Sequence, residues 1–471
     1  MHRSSLWRLV TVVVVASWLV WDGRANPAES VLAGESISPE ALSDLTSGAM
    51  CEWGAPNDVG GKPVAGYLDR AAGAQARSSD LGSTVDLSQR KPVRMIKDPY
   101  PSFSSIAVDV LNGEVIVTDE NLFNIMVYDR MTNTPPTAAN SEPKRIIGGL
   151  KTDIEFQSAL YVDPKSGDVY AVNNDTQGKM VVFSRSARGD TEPTRTISTP
   201  DGTFGIAVSE DHQELMLSIQ HLSAVVTFPK MAKGEDEPIR LLQGDKTKLA
   251  DPHGMAYDAK SDVIFVTNHG SVHSVRPGER RTGPAPQGSG GGEFRRGFGK
   301  KYWPVGYNFA IEESIPGSGR MDPPSITVYP RAASGDTAPI RMIVGPRTLL
   351  NWPTAVAHDP RTDELFVAND MGDEILVFSA AANGDVAPLR ILKGPKTLLK
   401  NPTGVSLDLQ RDELWVSNFG SHSATVYNTK ASGNTAPLRI IRSAPANEPA
   451  PLIGNTRVAF DSKREEILAP N

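Results

Sequence analysis

Cys51 is the only cysteine in 471 residues, so no intramolecular disulfide can staple this chain and the fold must rely on its core. Long apolar runs are also missing. The best candidate, residues 9–21, spans 13 residues, short of the roughly 20 that a membrane-crossing helix needs. Preceded by Arg3 and Arg8 and followed by Gly23, Arg24 and Ala25, it matches a secretory signal cleaved before Asn26. An uncleaved anchor is the alternative. Cys51 lies too far beyond the apolar run to be a lipid-anchor site. Strong charge of one sign is absent as well: loss of residues 1–25 removes three Arg and one Asp and moves the formal charge from −7 to −9. So mildly acidic a chain does not suggest a nucleic-acid partner. No nucleophile elbow, phosphate loop or clustered zinc motif appears.

What is present is repetition. Pro-x-Arg followed by apolar residues occurs seven times, at Arg94, Arg145, Arg195, Arg240, Arg341, Arg390 and Arg439. The separations are 51, 50, 45, 101, 49 and 49 residues. A second phrase resembling Gly-Val-Ala-x-Asp starts at Ile106, Leu160, Ile206, Met255, Val356, Val405 and Val458. Only one copy falls between Arg240 and Arg341, so the long gap holds an insertion in one unit rather than an extra unit. A fixed period of this length signals a repeat architecture.

Within the clearest copies, 355–392 and 404–441, four short β-branched or aromatic runs are separated by turn residues. Asp359 and Asp408 open tight turns after the first run. Gly384 and Gly433, with Pro388 and Pro437, break the chain between the third and fourth. Four antiparallel strands repeated radially make the blade of a β-propeller. The last unit supplies two strands after Val458, and the missing pair is found at 84–87 and 92–96. The expectation is therefore an all-β, seven-bladed propeller closed by N- and C-terminal strands, with a Gly/Pro-rich insertion in blade 4. The domain limits are 1–25 for the signal peptide, 26–82 for a flexible Ala, Gly and Ser-rich arm, and 83–471 for the propeller, with the insertion at 274–325.

Strand direction alternates within a blade, so the second strands end on the face where the first strands begin. Asn173, Asn268, Asn369 and Asn418 end second strands there; they could bind a polar ligand, although Asn also suits left-handed turns. His221, His253 and His269 map to the same face. Three neutral imidazoles with a free position suit a catalytic Zn²⁺, whereas solvated loop histidines are the plainer account. The insertion falls on this face too, and residues 288–307 mix glycines with Arg295, Arg296, Lys300, Lys301, Tyr302 and Trp303. As a lid it would suit a small polar or acidic ligand, a glycan or an acidic protein; as a spacer it would be disordered.

Phe265 to Asn268, Phe366 to Asn369 and Trp415 to Asn418, each preceded by the Gly-Val-Ala-x-Asp-like strand, resemble the second-strand signature of NHL and YVTN-type propeller repeats over residues 84–471. The resemblance implies the fold and leaves function open, since that superfamily includes binding scaffolds, lactonases and a zinc-dependent lyase. The lactonase metal ligands find no residue-by-residue match here. Two expectations follow: an exported, periplasmic or extracellular scaffold that binds a ligand or protein through the channel-mouth face and the insertion, or a metal-dependent lyase or hydrolase using His221, His253 and His269, with zinc as its possible cofactor. No membrane span is expected after cleavage.

Overall fold

Six four-stranded antiparallel sheets follow one another along the chain, over residues 103–147, 157–198, 203–243, 252–344, 353–393 and 402–442. They are blades 1 to 6 of a β-propeller. The computed structural model describes residues 98–174, 178–200, 202–272, 320–446, 459–461 and 466–468. Each sheet runs in strand order one to four, and neighbouring first strands pack on one another around the ring. The turns between first and second strands are built as the sequence suggests: Asp109, Asp163, Asp258, Asp359 and Asp408 each accept hydrogen bonds from the backbone of their own turn.

Blade 6 packs directly on blade 1. At five joints the N–H of the glycine between strands three and four donates to the fourth strand of the preceding blade: Gly189 to Ile146, Gly234 to Thr196, Gly335 to Leu241, Gly384 to Met342 and Gly433 to Ile391. At the sixth, Thr134 of blade 1 donates to Ile440 of blade 6 at 2.7 Å. The inner strands repeat the agreement. Ser417 Oγ donates to the Ser104 carbonyl across this seam at 3.2 Å, as Ser218 Oγ does to the His253 carbonyl between blades 3 and 4. Apolar clusters sit at every joint, and the seam's own cluster joins Phe103, Val115 and Tyr128 to Trp415, Val426 and Ile441, all fully buried. Among the described residues, blade 6 packs on blade 1 with no gap for a seventh blade.

The ring therefore has six blades, where the count of phrases predicts seven. Repeats in a sequence number the units available, but the angle at which sheets pack decides how many close a circle. Six copies of each phrase lie in the six sheets. Of the remaining copies, Ala459–Asp461 pairs with Glu466–Leu468 in a separate two-stranded ladder. Arg94 and the strands expected at 84–87 and 92–96 lie outside the described residues, as do the signal segment and the arm.

The Pro-x-Arg arginines staple the blades. Arg145, Arg240, Arg390 and Arg439 each pair with the glutamate that opens the second strand of the same blade, Glu114, Glu214, Glu364 and Glu413. Blades 2 and 4 carry Val169 and Val263 there. Their arginines turn outward to the next blade instead, Arg195 to the carbonyls of Lys230 and Ala232 and Arg341 to that of Ala380.

In blade 4 the second strand, Val263–Asn268, pairs with Ser325–Pro330, so residues 269–324 separate them. Ser271–Val272 pairs with Arg320–Met321 at the base of this segment, and Asp322 N–H donates to the Gly270 carbonyl at 2.7 Å. Residues 273–319, including Arg295, Arg296, Tyr302 and Trp303, lie outside the described residues.

Candidate functional site

Strand register defines equivalent positions in all six blades. The residue following the second strand donates its N–H to the carbonyl of the residue preceding the first strand: Glu120 to Ser102, Asn174 to Phe156, Gln220 to Gly202, His269 to Asp251, Asp370 to Trp352 and Phe419 to Asn401, at 2.7–3.1 Å. One hydrogen bond thus fixes the rim at every blade. The residue one step into the first strand faces the same mouth, and is Ser104, Ser158, Phe204, His253, Thr354 or Thr403. Blade 4 alone places imidazoles after the second strand and one step into the first, His269 and His253, with a carboxylate, Asp251, before the first strand.

Asp251, His253 and His269 are buried, at 8 %, 4 % and 2 % exposure, and their ligand atoms lie within 4.8 Å of one another. The two imidazoles stack, with ring centroids 3.4 Å apart and planes 20° apart. Phe204 of blade 3 lies against His253 at 4.0 Å and Trp352 of blade 5 against His269 at 4.6 Å. The throat is tight here. A Cβ on Gly254 would come within 2.5 Å of the Ala355 Cα, and one on Gly205 within 2.1 Å of the His253 carbonyl oxygen.

His253 Nδ1 is 3.0 Å from the Asp251 carbonyl oxygen. A carbonyl only accepts, so Nδ1 carries the proton and Nε2 keeps its lone pair. Nδ1 is also 3.5 Å from Asp251 Oδ1. Neither nitrogen of His269 makes a hydrogen bond, and Asp251 Oδ1 accepts none. Burial pushes the Asp251 carboxyl up to about 6, with His221 working against that rise. Burial pushes His253 down to about 3, assisted by His221 and opposed by the Asp251 carbonyl; it holds His269 well below the ordinary imidazole range, assisted by His253. The result is two neutral imidazoles beside a carboxyl that can change protonation near neutrality.

Of the three histidines singled out in the sequence, the structure brings His253 and His269 together and leaves His221 outside the group. Register explains this. Gln220, not His221, is the equivalent of His269, so His221 stands one residue farther along, its ring against Gly202, where a Cβ would meet Nδ1 at 2.6 Å. Sequence reasoning misses Asp251. Its signal is positional, since Asp251, Trp352 and Asn401 each precede a proline that starts a first strand, and each has a positive φ, of 54°, 61° and 42°.

Asn173, Asn268, Asn369 and Asn418 are fully buried, and each clamps the loop entering its own blade. Their side-chain oxygens accept from the N–H groups of Glu155, Ala250, Asn351 and Lys400, respectively. Their amide nitrogens donate to Asp153 O, to Val266 O and Thr327 Oγ1, to Leu349 O and Glu374 Oε1, and to Thr425 Oγ1. His422 and His358 make contacts beyond their own blades. His422 Nδ1 bonds the Pro101 carbonyl at 2.8 Å while Nε2 lies 3.2 Å from Asp98 Oδ2. His358 stands between Asp258 and Asp363 at 3.8 and 3.3 Å.

No protein-family model matches the sequence, and no curated protein matches it. Among solved structures the chain is similar to one titled Kuenenia stuttgartiensis hydrazine synthase, at 14 % identity and a TM-score of 0.45, over 72 % of this chain and 99 % of that one. The propeller assignment rests on the six sheets themselves.

Proposed function

We propose that this protein is an exported propeller of NHL or YVTN-type repeats that binds a small polar ligand at the mouth of blades 3 to 5, with the blade 4 insertion as the covering segment. The observation that carries this reading is the set of unpartnered polar atoms on Asp251 and His269. Leaving such groups buried and unbonded costs about 1–3 kcal/mol each. A ligand that hydrogen-bonds to Asp251 Oδ1 and to a His269 nitrogen would offset that cost, and Gly270 links His269 directly to the root of the insertion. Protein purified without an affinity tag, denatured, and analysed by mass spectrometry for released small molecules is expected to yield one compound in near-stoichiometric amount. In His269→Phe that compound is lost. Equal small-molecule content in the two proteins would sink the reading.

A metal-dependent lyase or hydrolase is the second reading. It is favoured by the buried Asp251, His253 and His269 side chains, whose ligand atoms lie within 4.8 Å of one another and could hold an ion that activates water. Turnover of a lactone and ester panel, absent in Asp251→Asn, would support it over simple binding.

A further inference from the structure

We propose that Asp251, His253 and His269 form a site for a divalent transition-metal ion of zinc type, completed by rotation of the His269 ring. The inference rests on the reading of this cluster as the binding locus and names the chemistry of what it holds. The donor set is two imidazoles and a carboxylate. That excludes the all-oxygen shells of calcium and magnesium and, lacking a thiolate, does not suit soft monovalent copper. His253 is already oriented as a ligand. With Nδ1–H on the Asp251 carbonyl, Nε2 is the nitrogen left to coordinate; Asp251 Oδ1 now stands 3.5 Å from Nδ1, so the carboxylate must turn toward Nε2 along with the His269 ring.

The other blades act as internal controls. At the three equivalent positions they carry Ser102, Ser104 and Glu120, or Trp352, Thr354 and Asp370, so the propeller backbone does not require imidazoles or an unpartnered carboxylate there. Where blade 5 places a carboxylate, Asp370, it is bonded by Asn401 Nδ2 at 2.9 Å. In blade 4, Asp251 Oδ1 and both His269 nitrogens accept or donate nothing while buried. The second His and Asp group, around His358, differs on this point: both of its ring nitrogens already face carboxylates, and Asp258 is held by the N–H groups of Lys260 and Ser261.

Stacked rings do not share an ion. An imidazole ligand places the metal in its own plane at about 2.0–2.1 Å, and planes tilted by only 20° with centroids 3.4 Å apart do not meet at that distance. One ring must turn. His269 can do so without breaking a hydrogen bond, and its second side-chain torsion is a broad one.

Full-length tag-free protein, stripped with a chelator, should bind one Zn²⁺ per chain by calorimetry. Co²⁺ should give visible absorption of a site with nitrogen and oxygen ligands. Affinity should fall at least about 100-fold in both His269→Phe and Asp251→Asn, beyond the roughly 10–100-fold typical of losing an orienting partner. It should stay within about 2-fold in His221→Ala, since a ring outside the donor group contributes little. Unchanged melting temperatures in His269→Phe or in His269→Gln would separate ligand loss from misfolding. Absence of Zn²⁺ and Co²⁺ binding by the wild type, or binding lost in His221→Ala and kept in His269→Phe, would overturn the proposal. If the wild type binds neither ion but retains a small molecule that His269→Phe loses, the metal site is wrong and the binding locus stands; if it holds neither, both fall.

Discussion

Single residues in this propeller divide into those held by partners and those left without them. Glu114 belongs to the first group. Burial works to raise its pKa, but the bidentate Arg145 and the Lys144 ammonium together outweigh it and hold the carboxyl down to about 2. The folded value thus lies below the ordinary 4.5. The stability this group contributes is fully present above pH 4.5 and is lost as pH falls toward 2, about 3 kcal/mol in all. Glu214, Glu364 and Glu413 are lowered by the same kind of pairing against the same burial, so they add to the loss. Urea unfolding between pH 5 and 2 should therefore fall less steeply for Glu114→Gln, although that variant starts lower because Arg145 is left buried without its partner. A pH dependence parallel to the wild type would show that the pair does not hold the carboxylate as described. Among these residues the arginines were conspicuous in the sequence as a phrase. Their glutamates were not, because the two lie about 26–31 positions apart and only the strand pairing brings them together.

At the scale of the element, the strands and hairpins were plainly legible. Alternation, turn glycines and leading aspartates all act over a few residues, and the sheets form where those signals lie. Packing between elements was less so. Trp415, fully buried in the second strand of blade 6, faces the blade 1 cluster of Phe103 and Tyr128. Trp415→Ala should lower unfolding free energy by about 3–5 kcal/mol, the usual range for deleting a large buried aromatic. A loss under about 1 kcal/mol would mean that this seam is not a packed joint. Gly254 makes the same point at the inner strands. Backbone of blade 5 fills the space a methyl would need, so Gly254→Ala is expected to cost stability, through overpacking, by about 1–3 kcal/mol. Thermal melting checks this, and a neutral substitution would show that blades 4 and 5 lie farther apart than described.

For the whole molecule, the decisive result is a ring of six blades whose seam is joined, as the other joints are, by a backbone hydrogen bond between outer segments and a buried apolar cluster. Removing residues 447–471 should leave cooperative unfolding and the melting temperature within about 2 °C of the full chain, a shift worth about 1–2 kcal/mol for a domain of this size. A fall of 10 °C or more would show that the terminal ladder closes the ring after all. The sequence by itself determined the repeat, the four-strand unit and the propeller class, because each depends on local spacing and turn chemistry. Only the tertiary structure decided the number of blades, which is set by the angle between packed sheets. It also decided the makeup of the mouth. A one-residue difference in register removed His221 from the cluster and brought in Asp251, since which side chains share a rim depends on how neighbouring strands align.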